Sequence, residues 1–313
     1  MGHEAAEAAG DGQGNTPMET KQVVHSRDFD FSGFLALVKR EPRTDGASCG
    51  RSSRKAGYKD YPTDKFPWSG TESWQDALDL AHKGWPDGLK DIKGMSEKIW
   101  KVVGQQIQKT TFFYDVSGAQ PDVDRFLLGE PENMIQFQQE ESVGHGKIVK
   151  IFVNSSASCG VSVNTMFVRG AAVVALVNAL ESLGFSCEVC TADAVAGQWH
   201  GDAQILQYNV MLKRAGGSLD LDRLAFALAQ PAWFRRLVFS AMEQEPESIR
   251  SMIGVGYRYG CPTESRGLTS AERGIDVPSL RFGTHHWEDI KTATAWVLDA
   301  ASKVLGRPVN KVA

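Results

Sequence analysis

Cysteine is scarce and odd in number: 5 in 313 residues, at positions 49, 159, 187, 190 and 261. So few, so widely spread, do not make a disulfide framework, and a reducing, cytoplasmic location is the simplest expectation. No continuous apolar run approaches the roughly 20 residues needed to span a bilayer, so no membrane anchor is expected. Residues 1–20 have neither a basic stretch nor an apolar one and do not read as a signal peptide. Charge of one sign is lacking too: the formal net charge is −4, which gives no general attraction to nucleic acid. There is no internal repeat. Gly254-x-Gly256 is too short a glycine signal for a phosphate loop. Histidine is sparse, and none of the 7 stands in a convincing catalytic context. His145, between Gly144 and Gly146, reads as a hairpin turn, and the adjacent His285 and His286 cannot face one ligand from a helix.

What is present is ordinary globular composition, 42% hydrophobic and 23% charged, organised around residues 147–191. Ile148-Val149-Lys150-Ile151-Phe152-Val153 is nearly all β-branched or aromatic, as in a strand covered on both faces. A polar turn follows, Asn154-Ser155-Ser156-Ala157-Ser158-Cys159-Gly160. Arg169 to Leu183 is then apolar almost all round, with Ala171, Ala172, Ala175 and Ala179 permitting close packing, and Gly184 stands at a helix C-cap position. Phe185 to Cys190 reads as the next strand. Such a crossover makes the two strands parallel and puts the polar turn at their carboxyl end, where open α/β sheets place ligand sites.

Around this unit the chain divides into three spans. Residues 1–27 are small, polar and acidic and read as a disordered tail. Residues 28–110 read as a helical extension: a short helix near Ser32 to Lys39, then helices opening near Thr71 and at Pro86. Residues 111–313 read as an α/β domain. Within it strands are expected at 111–116, 134–137, 203–214 and 275–282, the third antiparallel to its predecessor. Residues 192–202 and most of 248–266 read as loops. Helices are expected over 220–228, 233–243 and 287–305.

Asn154-x-Ser156-x-Ser158, directly after a buried strand, has the alternate oxygen ligands that suit a hard cation such as Mg²⁺. The stretch resembles the first motif of von Willebrand factor A domains, Asp-x-Ser-x-Ser, with Asn154 in place of the aspartate. The order long helix, strand, adjoining antiparallel strand, helices also resembles that fold over about residues 147–239. The resemblance implies a three-layer α/β/α sandwich with a mostly parallel sheet. It implies a metal site at Asn154, Ser156 and Ser158 only if a carboxylate such as Asp193 or Asp115 restores the missing charge; no later Thr-Asp-Gly is present. More widely, Asp115-Val116-Ser117-Gly118, Leu128 to Met134, Arg169-Gly170-Ala171-Ala172 and Pro231-x-Trp233-x-Arg235-Arg236 resemble a family of uncharacterised tailed-phage proteins. That likeness implies a phage origin, with the host cytoplasm as location, and little chemistry.

Other candidates have plainer readings. Cys187-x-x-Cys190 has metal or redox spacing, but on a strand positions three apart face opposite ways, so both read as buried small hydrophobes. Arg235 and Arg236, beside Trp233, are candidates for contact with a partner or an anion. Arg51-Ser52-Ser53-Arg54-Lys55 reads as a solvated basic cluster, and nucleic acid is not expected there. No cofactor is expected beyond Mg²⁺ at the loop. The expected function is a protein-interaction or assembly module with a protein partner. The alternative is a metal-dependent enzyme or adhesion site at Asn154 to Ser158, and the sequence leaves open whether the chain is an enzyme.

Overall fold

The computed structural model describes residues 22–40, 69–107, 111–138, 146–199, 202–254, 262–265, 274–281, 283–307 and 309. Of the sequence features above, the basic cluster Arg51 to Lys55, His145, Gly256 and residues 1–21 lie outside these. The first described residues are a strand. Gln22–Asp30 (β1) pairs in parallel with a later strand, so residues 22–27 of the expected tail are held in a sheet. A local reading misses this because the partner carrying the hydrogen bonds lies some 180 residues away. Asp30, rather than Ser32, caps the helix Phe31–Val38 (α1), its carboxylate accepting from the Gly33 N–H at 2.6 Å. Ser73 caps Trp74–Lys83 (α2) through a capping box with Asp76, and Pro86 opens Pro86–Ile107 (α3). Ala77 and Leu78, then Ile92, Ile99 and Val103, put the buried faces of these helices into the main core.

Thr111–Asp115 (β2), Gln120–Pro121 (β3) and Met134–Gln138 (β4) form a separate antiparallel sheet in the order β2-β4-β3, with the short helix Val123–Leu127 (α4) between its second and third strands. It shares no strand with the main sheet, although the sequence placed these residues in one α/β domain.

The main sheet follows. Ile148–Val153 (β5), the helix Val163–Ser182 (α5) and Ser186–Trp199 (β6) make the expected parallel crossover, and Asp202–Lys213 (β7) returns antiparallel. After the helix Leu221–Ala229 (α6), a π-helical turn over Trp233–Val238 runs into Phe239–Glu243 (α7), followed by Glu247–Ile253 (α8). Gly274–Val277 (β8) closes the sheet. A 3₁₀ turn at His285–Trp287 leads to Ile290–Leu305 (α9). The strand order is β1-β7-β6-β5-β8, parallel at every pairing except β6–β7.

Two expected loops are regular structure. Residues 192–199 continue β6, and α8 occupies part of 248–266. Ala192, Ala194, Ala196 and Gly197 carry little strand propensity, which hid β6. Gly197 also has a steric role: a Cβ there would lie 2.5 Å from the Met252 carbonyl oxygen, so α8 crosses directly over it. On β6 both alternating sets are buried: Cys187, Val189, Thr191, Asp193 and Val195 on one side, Cys190, Ala192 and Ala194 on the other. Both faces of the sheet are therefore covered at its centre. Against the sequence expectation, α5 is long and apolar enough to cross a membrane by length and composition. Its apolar window is 83% buried, with α3, α6 and α9 packed on it. Gly170 lets α6 come close, since a Cβ there would meet the Ala229 Cβ at 2.8 Å.

Candidate functional site

The loop after β5 is sewn into the protein on every side. Its backbone pairs with the segment after β8: Asn154 N–H donates to the Val277 carbonyl at 2.9 Å, Ser158 N–H to Leu280 at 2.8 Å, and Leu280 N–H to Ser156 at 2.9 Å. The Asn154 side-chain oxygen accepts from the Ser156 N–H at 3.1 Å and from the Ser156 hydroxyl, a local turn of the kind asparagine favours. Its amide nitrogen donates to the Thr263 carbonyl at 2.7 Å. Asn154, Ser156 and Ser158 are all buried. The structure thus brings Asn154 and Ser156 together. The Ser158 carbonyl accepts from Arg235 Nη2 at 3.1 Å.

Asp193 meets this loop from β6. Its Oδ1 accepts from both the Ser155 hydroxyl, at 2.5 Å, and the Ser155 N–H, at 2.9 Å. Its Oδ2 accepts from the Trp233 indole N–H at 3.3 Å. The Trp233 ring packs among Phe31, Phe34 and Phe226, with centroids 5.8, 4.9 and 6.1 Å away. Arg169, fully buried on α5, donates to the Asn154 carbonyl at 2.8 Å and the Ser155 carbonyl at 3.1 Å. Burial pushes the Asp193 carboxyl up to about 6 against the pull of its hydrogen bonds and of Arg169, and pushes the Arg169 guanidinium down to about 10. The Arg169 Nε and the hydroxyls of Thr191 and Ser240 are buried without a hydrogen-bond partner.

Arg169, Trp233 and Arg235 all converge on this loop. Arg236 points elsewhere. Its Nη2 donates to the Ser69 hydroxyl at 2.9 Å and to the carbonyls of Thr71 at 2.9 Å and Glu72 at 3.1 Å, fixing the approach to α2. Both arginines are buried. Cys187 and Cys190 are buried on opposite faces of β6, and burial pushes both thiols up to about 12, so neither is a ready thiolate ligand. His285 sits in the exposed 3₁₀ turn with Nδ1 2.5 Å from Glu288. Among the described residues no three His, Cys, Asp or Glu side chains gather.

The small sheet offers a different kind of surface. Asp122 caps α4, accepting from the N–H groups of Asp124 and Arg125 at 3.1 Å and from the Tyr114 hydroxyl at 3.0 Å. These contacts, the backbone N–H of Arg125 first, hold its carboxyl below the usual range. Val123, Phe126 and Leu127, at i, i+3 and i+4, share one face of α4. They are 63%, 64% and 75% exposed, and Leu128, just after the helix, is 76% exposed. None of the side chains described between Tyr114 and Gln136 is buried. β2, β3 and β4 pack mainly on one another, and none of the side chains described between Tyr114 and Gln136 joins the main core. From sequence, Val123 to Leu128 reads as a short helix or turn, as observed, but its spacing does not tell whether the apolar face is covered. Its one signal is the density of turn residues on either side, Ser117 to Asp122 and Gly129 to Glu132.

None of the curated proteins and none of the solved structures matches this chain. A family model, Domain of unknown function (DUF7192), matches residues 27–301, from within β1 to within α9, and the chain belongs to that family.

Proposed function

We propose that the chain is a non-enzymatic protein-interaction or assembly module that receives its partner on the apolar face of α4. The observation that carries this reading is the exposure of Val123, Phe126, Leu127 and Leu128 together, on a sheet with no buried side chain described between Tyr114 and Gln136. Apolar patches left open on one surface are characteristic of interaction sites, and a small sheet gains stability when its apolar side is covered. The closed strand-end loop supports the same reading, since its oxygens serve internal hydrogen bonds. The core fits a three-layer, von Willebrand A-like arrangement. Support comes from the polar loop at the carboxyl end of β5, the antiparallel β7 beside β6 and the cover on both faces of β6. The likeness to tailed-phage proteins makes assembly in a host cytoplasm the setting. The test is affinity capture with the full chain against its Phe126→Ser/Leu127→Ser variant. A specific partner retained by the parent and lost by the variant is expected; a specific partner held equally by both would place the interaction elsewhere.

A second reading keeps a divalent cation at Asn154, Ser156 and Ser158, and Asp193 favours it. That carboxylate reaches the loop through Ser155 and could supply the charge that Asn154 lacks. An ion there would have to displace the hydrogen bonds of Ser155 and Ser156, so binding is expected to be weak. Calorimetric titration with Mg²⁺ decides it: micromolar binding that disappears in Ser156→Ala would favour the metal site over the interaction reading.

A further inference from the structure

We infer that the segment docking on α4 is basic as well as apolar: an amphipathic stretch whose apolar side chains meet Val123, Phe126, Leu127 and Leu128 and whose lysines or arginines meet the rim. This rests on the interaction reading above and adds the chemistry of the partner. Residues 111–138 contain five carboxylates, Asp115, Asp122, Asp124, Glu130 and Glu132, against one cation, Arg125. That cation is already committed. Its guanidinium pairs with Glu130, lies 3.9 Å from the centre of the Tyr114 ring, and donates through Nε to the Glu132 carbonyl at 3.1 Å. Asp122 is spent on capping α4. Asp124, inside α4, and Glu132, on the turn after it, are both exposed. Together with the other carboxylates they leave the segment that carries the apolar face with a net negative charge that Arg125 alone does not offset. An acidic partner would meet like charge at that rim, at a cost in free energy and in association rate, whereas a basic one is steered onto it.

The test uses synthetic amphipathic helices of about 18 residues, five turns, as probes. One carries leucine on one face and lysine on the other, a second replaces lysine by glutamate, and a third keeps the lysines but replaces leucine by serine. Binding to the full chain is followed by fluorescence anisotropy, and self-association by sedimentation velocity. The leucine–lysine peptide is expected to bind at least about tenfold more tightly than either of the others, and to weaken as salt rises and screens the rim. Phe126→Ser/Leu127→Ser should abolish its binding. Asp124→Lys/Glu132→Lys should weaken it about tenfold and improve binding of the glutamate peptide. Equal binding of the lysine and glutamate peptides, both lost in Phe126→Ser/Leu127→Ser, would overturn the basic partner while sparing the docking face. Lysine-peptide binding unaffected by Phe126→Ser/Leu127→Ser would overturn both. Self-association lost in that variant would make a second copy of the chain the occupant and overturn the basic partner, as would failure of every peptide to bind.

Discussion

Asp193 is wholly buried, and burial opposes its charge more than Ser155, Trp233 and Arg169 relieve it. A carboxyl raised in the folded state holds its proton more tightly there than in the unfolded chain. Its contribution therefore favours folding below the unfolded value near 3.8 and is lost as pH rises through about 6. The gap corresponds to about 3 kcal/mol at 1.36 kcal/mol per pH unit. Equilibrium unfolding of the parent and of Asp193→Asn, from pH 4 to pH 7, checks this. The parent should lose stability over that window relative to the variant; parallel curves would contradict it. At this scale the sequence was legible in part. The polar turn after β5 announced Asn154, Ser156 and Ser158, and Asp193 was in view as a nearby carboxylate. That Ser155, and not its neighbours, takes Asp193, and that Arg169 and Trp233 complete the network, follows from side-chain directions across β6, α5 and the π turn, which spacing along the chain does not encode.

Among the elements, α5 is the one on which the others rest. Its residues are buried from Val163 to Leu180 with few interruptions, because the sheet lies on one side and α3, α6 and α9 on the other. Leu176 is fully buried within it. Leu176→Ala is expected to destabilise by about 2–5 kcal/mol in denaturant unfolding; a loss under about 0.5 kcal/mol, usual for surface positions, would contradict the packing. The β5-α5-β6-β7 run was legible because its apolar runs are long and Gly184 marks the end of the helix; the cap at Ser162 came only with the fold. The far half of β6 was not, since Ala192, Ala194, Ala196 and Gly197 carry little strand propensity, and Gly197 is set by the close approach of α8. β1 was missed for a different reason: its register with β7 is a long-range fact. The exposed face of α4 escaped because the spacing of Val123, Phe126 and Leu127 gives a shared face but not its cover, and the fold shows all three exposed.

At the scale of the whole molecule, a closed α/β body is joined by a small sheet whose helix α4 leaves its apolar side chains exposed. The body's first boundary can be cut. Removing residues 1–21 should leave the melting temperature unchanged, since their composition offers little apolar surface to bury. Removing residues 1–30 takes away β1, with Arg27's paired hydrogen bonds to Glu245, both at 3.0 Å, and bares the edge of β7. A clear drop in melting temperature is expected for the longer cut alone; equal curves for the two would show that β1 contributes nothing. The central claim is that the α4 face is open in the isolated chain and kept for a partner. Equilibrium unfolding of Phe126→Ser/Leu127→Ser tests it most directly. The account predicts a change within about 0.5 kcal/mol of the parent, as for exposed positions. A loss of more than about 2 kcal/mol, the cost of emptying a packed site, would mean that the chain itself covers this face and would contradict the account.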